Sequence, residues 1–461
     1  MRRGALLILT AALLGSSTTH PASAGGPRNV PRDVSRDVSQ LPRFGIGLSA
    51  HPDDTGIYGW MPDSGIPWDY AYQYLAGGVN TGAGWQTWNS EAQFPLWYAQ
   101  GSAAAGYIPV FPYYMLLQST GTCDSCSESE RDLSNLNDPS LMAALYGDVT
   151  KLLQRLGPGT YDGIQGFGGT AVVQVEPDLS GYAEQAVLDN AYCFGYCTGE
   201  GNDPALLRAS VASSGVSDVA GYPDTYQGFS LAIAHLRDLY APNVLLAFHI
   251  SDWATYRDIG SDHDPGLDAA ALGTQAGTFG ALAGLKQVRP DTSRYDLVFN
   301  DVAYRDAAFY KYVYGWDVFW DRLNVTYPNF KRWETYVKAI VAATRRPAVV
   351  WQIPEGNQWF DTVNNSWGHY QDNRAEYFFS HIPELKRSGV IALLFGAGNE
   401  GSTVHTDGMF DGITNPPSFC TTDGLSSGQV CNTHTSAYPD DDGGYIRLAA
   451  ARFYGVSLRG S

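Results

Sequence analysis

The sequence predicts a (β/α)8 barrel, and three features carry that reading. Eight short apolar runs, rich in Val, Ile and aromatic residues, recur along the chain. Longer helix-compatible stretches separate them. The first run is followed by Ala50-His51-Pro52-Asp53, not by the Gly-rich phosphate turn that a doubly wound sheet usually places there. Such runs read as strands buried on both faces of a parallel sheet. Eight strand–helix units then close into a barrel with length to spare for long loops.

The elements follow in order. Residues 1–24 read as a secretory signal peptide: Arg2 and Arg3 precede an apolar run from Ala5 to Leu14, and Ala22-Ser23-Ala24 offers a small-residue cleavage site. A secreted, extracellular product is expected. Residues 25–42 are rich in Pro, Arg and Asp, with Arg-Asp-Val-Ser twice in succession, and read as a flexible lead-in. One barrel domain is expected over 43–461. Its strands are placed at 44–49, 74–80, 107–113, 171–176, 243–249, 295–300, 348–353 and 390–395. Helices are expected at Pro139–Leu156, Tyr226–Tyr240, Trp333–Thr344, Ala375–Ser388 and Tyr445–Phe453.

The six cysteines form three local pairs: Cys123 with Cys126, Cys193 with Cys197, and Cys420 with Cys431. An even count in an exported chain reads as disulfides, and no metal site is expected of them. The pairs follow the third, fourth and eighth runs, so they should staple loops on the face where barrel active sites sit.

Composition narrows the partner. The chain has 461 residues, 12 Trp, 29 Tyr and a net charge of −18, with only 16% charged residues against about 25% ordinarily. An acidic chain repels polyphosphate, which argues against nucleic acid and anionic membrane. A neutral ligand with faces to stack on suits it better. There is no H-E-x-x-H pair or Walker-type loop, so zincin and nucleotide chemistry lack a motif. No cofactor is expected, and the protein is read as a monomer. The acidic segments Asp262-His263-Asp264 and Asp440-Asp441-Asp442 read as solvated turns rather than calcium loops.

In a barrel, polar residues at the C-terminal ends of strands are the candidates for chemistry. The fourth run ends V-Q-V-E-P-D, giving Glu176 and Asp178; the sixth ends Asn300-Asp301; the seventh gives W-Q-I-P-E-G-N with Glu355. The fifth ends in His249, the eighth leads to Asn399 and Glu400, and the first offers His51. Two carboxyl groups facing each other across a barrel mouth can split the work of breaking an acetal. One protonates the leaving oxygen while the other attacks or activates water.

Those segments resemble the barrel glycoside hydrolases of the large retaining clan. The resemblance implies Glu176 as acid/base and Glu355 as nucleophile, although Val175 stands where that clan usually has Asn. The segment V-E-P-D (175–178) is also similar to the strand-four signature of glycoside hydrolase family 6, the inverting cellulases, which implies Asp178 as the proton donor. Asp301 is a further alternative. Tyr113, Trp253 and Trp351 fall on or just after predicted strands, and Trp85 and Trp88 follow the second in a Gly-rich segment expected to be exposed. With His51, His249, Asn399 and Glu400, these are the candidate contacts to a sugar. The expected activity is cleavage of a poly- or oligosaccharide. The alternative is a non-catalytic carbohydrate- or wall-binding barrel.

Overall fold

The computed structural model describes residues 38–50, 61–62, 64–287, 293–303, 305–356, 370–396, 402–403, 425–426, 429–430 and 445–456. Eight strands form its centre: β1 Gly45–Ser49, β2 Tyr70–Tyr72, β3 Ile108–Tyr113, β4 Ala171–Val175, β5 Val244–His249, β6 Leu297–Asp301, β7 Ala348–Ile353 and β8 Val390–Phe395. Each pairs in parallel with its neighbours in sequence, and β8 closes on β1 from Gly45↔Ala392 to Leu48↔Phe395. The barrel is as predicted.

One strand sits elsewhere. The run at 74–80 contributes only a bridge, Leu75↔Tyr113, and β2 lies upstream at Tyr70–Tyr72. The reason is Gly77, which turns at φ +102 with the carbonyl of Ala83 in the space a Cβ would fill. A left-handed residue pressed on backbone cannot continue a strand.

Alternation divides the apolar side chains into two layers. Tyr70, Tyr72, Val110, Val172, Leu245, Leu297, Val349 and Leu394 fill the barrel interior. Val173, Val175, Leu246 and Phe248 face outward to the helices. These are α1 Phe94–Ala104, α2 Glu128–Leu136, α3 Pro139–Leu156, α4 Pro177–Leu188, α5 Tyr226–Tyr240, α6 Ala269–Gly280, α7 Phe330–Thr344, α8 Arg374–Ser380, α9 Ile382–Ser388 and α10 Tyr445–Tyr454.

Local chemistry sets their ends. Asp138 accepts from the amides of Ser140 and Leu141, and Pro139 opens α3; such a cap contributes about 1 kcal/mol. Asn329 caps α7 through the Arg332 amide and starts it three residues earlier than expected, at Phe330. The single helix expected over 375–388 breaks at His381, because Pro383 has no N–H to continue the ladder. Arg237 of α5 is buried and paired with Asp296 at 2.6 Å and Asp238 at 2.7 Å, locking that helix to the start of β6.

Disulfides join Cys123–Cys126 and Cys193–Cys197. The first lies in the loop after β3. The second lies in the excursion between α4 and α5, which meets the loop after β5 through Tyr192 and Tyr256, 5.0 Å apart. Cys420 and Cys431 lie outside the described residues. No helix among the described residues is long and apolar enough to cross a membrane.

Candidate active site

The site grows from the C-terminal end of β4. Gln174 points into the barrel, and the strand stops at Glu176, whose φ of 40° is left-handed. Pro177 then opens α4, which places Asp178 in its first turn. Glu176 and Asp178 therefore face different surroundings although one proline separates them.

Glu176 is only 2% exposed and accepts hydrogen bonds from the amides of Met115 (3.1 Å) and Leu116 (3.0 Å) in the loop after β3. Burial pushes its carboxyl up to about 8; those amides oppose the shift, and the nearby Asp148 and Asp178 add to it. Asp148, on α3, is equally enclosed. It accepts from Trp85 Nε1 at 2.7 Å and Tyr113 Oη at 2.8 Å.

Trp85 and Tyr113 are thus committed to Asp148. The exposure expected of Trp85 is corrected: it is 0% exposed, because its indole N–H is drawn in to a buried carboxylate. Trp88 is 37% exposed and packs edge-on against Phe94. Trp253, in the loop after β5, packs against α4 beside Tyr182 and over Gly181.

Asp178 instead looks across the mouth. Half-buried, it accepts from Tyr114 Oη at 2.8 Å. Burial raises its carboxyl above the usual carboxylate value; the Tyr114 bond and His249 pull it down, and Asp301 pushes it up. Asp301 closes β6, with Oδ1 3.2 Å from His249 Nε2. Gln174 Nε2 meets His249 Nδ1 at 2.9 Å. An amide N–H donating there leaves the imidazole proton on Nε2, the side facing Asp301. Behind Asp301, buried Asp252 takes the Asn300 amide at 2.8 Å. Burial, with Asp301 and Asp258 nearby, holds the Asp252 carboxyl well above its usual value.

Aromatic rings complete the mouth. Trp351 stands in the barrel against His249 (5.6 Å, 80°) and Tyr74 (5.7 Å, 47°). β7 carries an extra residue against β8 between Leu393↔Val350 and Phe395↔Ile353, and Gln352 there has φ 54°. This bulge turns Gln352 inward, where its amide donates to the Tyr74 hydroxyl. Burial, Tyr72, Asp178 and Asp301 together raise Tyr74, so both carboxylates stand close to its hydroxyl. Glu355 is buried two residues beyond β7, near enough to Tyr72 to raise that phenol.

His51, Asn399 and Glu400 lie outside the described residues, as does the 440–442 segment. The 262–264 turn behaves as an acidic turn: Arg257 pairs with Asp262 at 2.7 Å and Asp264 at 3.0 Å. Sequence reasoning missed Tyr74, Gln174 and Gln352. A lone Gln inside each of two buried strands was the signal for the last two.

No family model matches the chain, and no curated protein matches it. Solved structures do. GH26C from Muricauda sp. matches at 10% identity and TM-score 0.41, covering 80% of this chain and 82% of that one. A modular endo-beta-1,4-mannanase from Cellulomonas fimi matches at 10% identity and TM-score 0.39, covering 78% and 66%. A GH10 xylanase with a bacterial Ig-like domain, from termite gut, matches at 9% and 0.43, covering 91% and 79%. The chain is similar in outline to these barrel glycoside hydrolases.

Proposed function

We propose that this protein hydrolyses a glycosidic bond of a neutral poly- or oligosaccharide at the barrel mouth, with Asp178 as general acid and Asp301 as general base. The supporting observation is the arrangement of these two carboxyl groups beside Tyr74, Trp351 and His249. Protonated Asp178 gives its proton to the glycosidic oxygen as the bond to the anomeric carbon breaks. Water adds to that carbon and passes a proton to Asp301, so one water is consumed and two hydroxyls appear. Half-buried Tyr74 offers aromatic surface to the sugar's C–H faces, Trp351, only 3% exposed, backs it from inside the barrel, and Gln174 and His249 hold Asp301's side of the mouth in place.

A second reading keeps Glu355 as a nucleophile, because it too is buried under the mouth beside Tyr72. The two readings differ in stereochemistry. Proton NMR of the first-formed anomer decides between them: an inverted product supports the Asp301 base, and a retained one supports Glu355. Release of reducing ends from a polysaccharide panel tests the activity itself, and no release from any member would leave the barrel a binding protein. We also read the protein as exported, on the Arg2-Arg3 and Ala5–Leu14 pattern and the two disulfides.

A further inference from the structure

The loop between β6 and α7 carries aromatic residues that the barrel core does not use. Trp316 is 60% exposed and Tyr314 47%. Tyr310 lies 6.2 Å from Trp316 with ring planes only 14° apart, and Tyr314 sits 5.3 Å from Trp316. Three adjacent rings therefore cluster on this loop, with Tyr310 half-buried and the other two exposed.

This surface is built on fixed ground. Phe309, buried beneath it, packs edge-on against Tyr314 at 5.7 Å and Tyr370 at 5.3 Å. Asp306 binds the amide of Gly356, one residue past Glu355, at 2.9 Å, and also the amide of Thr403. Asp372 takes the Ala307 amide at 2.8 Å. Gly356 is required there, since a Cβ would meet the carbonyl of Tyr370 at 2.0 Å. The aromatic loop is thus fastened to the segment following β7 and to Thr403, on the C-terminal face that holds the mouth.

We propose that Tyr310, Tyr314 and Trp316 form a second carbohydrate-binding platform that holds a neutral polysaccharide chain leading from the mouth. The inference rests on the hydrolase reading for its ligand class. Ordinary exposed apolar residues are scattered singly, whereas three clustered rings mark a binding surface. The occupant follows from chemistry. Tyrosine and tryptophan offer a flat face and a polar edge, which suits a sugar ring's C–H face and hydroxyls. The charge of the chain, −18, disfavours an anionic polymer or anionic bilayer at the same place. The immediate surroundings include both exposed Lys311 and exposed Asp317, so the surface selects no strongly charged ligand. Anchorage of the loop to Gly356, next to Glu355, distinguishes a chain-guiding platform from an isolated patch.

The test is native affinity electrophoresis in gels containing galactomannan, xylan, hydroxyethyl cellulose or starch, with the full-length protein and its Trp316→Ala, Tyr314→Ala and Trp316→Phe variants. Wild-type protein should be retarded by at least one polymer. Trp316→Ala should weaken that retardation at least fivefold, and Trp316→Phe should restore most of it. Cleavage of a short aryl glycoside should keep its kcat, while KM for the polymer rises. Asp178→Asn should be retarded like wild type without cutting. Retardation of wild type with no cleavage anywhere would sink the hydrolase reading and leave the platform standing. Cleavage with identical behaviour of Trp316→Ala on polymer and short substrate would sink the platform alone. Light scattering that shows a dimer abolished by Trp316→Ala, or sedimentation with phosphatidylcholine vesicles abolished by it, would also overturn the proposal in favour of a second copy or a lipid surface.

Discussion

Two sets of carboxyl groups flank the end of β4, and the chain treats them in opposite ways. Behind the barrel wall, Glu176 and Asp148 are met by the amides of Met115 and Leu116 and by Trp85 and Tyr113. At the mouth, Asp178 and Asp301 are half-buried and meet Tyr114 and His249. Burial and the number of donors separate the two sets. A buried carboxyl group with two or three donors is taken up in holding its surroundings together, whereas a half-buried one with a single close neighbour keeps oxygen surface for a substrate.

The comparison breaks most easily on activity. Asp178→Asn should lower kcat by about 10²–10⁴, the usual value of a general acid, with little change in melting temperature. Glu176→Gln should keep most activity, because glutamine can still accept from the two amides. Steady-state kinetics on the best polymer of the panel reads both. The reverse pattern would move the acid to Glu176 and erase the distinction.

Stability gives the converse. Glu176→Ala leaves two buried N–H groups without an acceptor, and each such group costs roughly 1–3 kcal/mol. Chemical denaturation should show a loss of about 3 kcal/mol for this variant. Tyr113→Phe should lose less, since Asp148 retains Trp85 and Gln86.

The pH dependence of stability sharpens the same contrast. Burial raises Glu176 to about 8, and burial alone raises Glu184 of α4 to about 8. A carboxyl group whose folded pKa lies above its unfolded value near 4.5 is stabilising relative to higher pH while protonated in both states. That contribution is lost as pH climbs from about 4.5 towards 8. Melting temperature should therefore fall across that window. Glu176→Gln with Glu184→Gln should flatten the fall, because neither replacement ionises. A melting curve unchanged by the pair would show that these sites do not carry the dependence.

Much of this architecture was legible in the sequence. Seven of the eight strand runs coincide with strands, because β-branched runs flanked by polar turns need burial on both faces. The second failed where glycine geometry overrode apolar content. The mouth was legible only in part. Residue type located the carboxylates at strand ends, but φ at Glu176 and the bulge at Gln352 decide where side chains point, and neither leaves a periodic signal. Trp85 shows the same gap: a tryptophan in a Gly-rich segment reads as exposed until a distant carboxylate, Asp148, is folded against it.

The smallest expected effect is the most discriminating. Tyr114→Phe removes a phenol that donates to Asp178 and leaves the ring in place. That bond lowers the Asp178 carboxyl, while burial and Asp301 raise it. Without the bond the folded pKa of Asp178 moves further up, so the acid stays protonated to higher pH. The alkaline limb of kcat/KM should then shift upward, with the rate at the optimum reduced only several-fold. The Tyr114 hydroxyl donates to Asp178 and not to Glu176, so a reaction driven by Glu176 would leave that limb in place. A pH–rate profile of Tyr114→Phe beside wild type separates the two carboxyl groups without touching either, and an unmoved alkaline limb would exclude Asp178 as the acid.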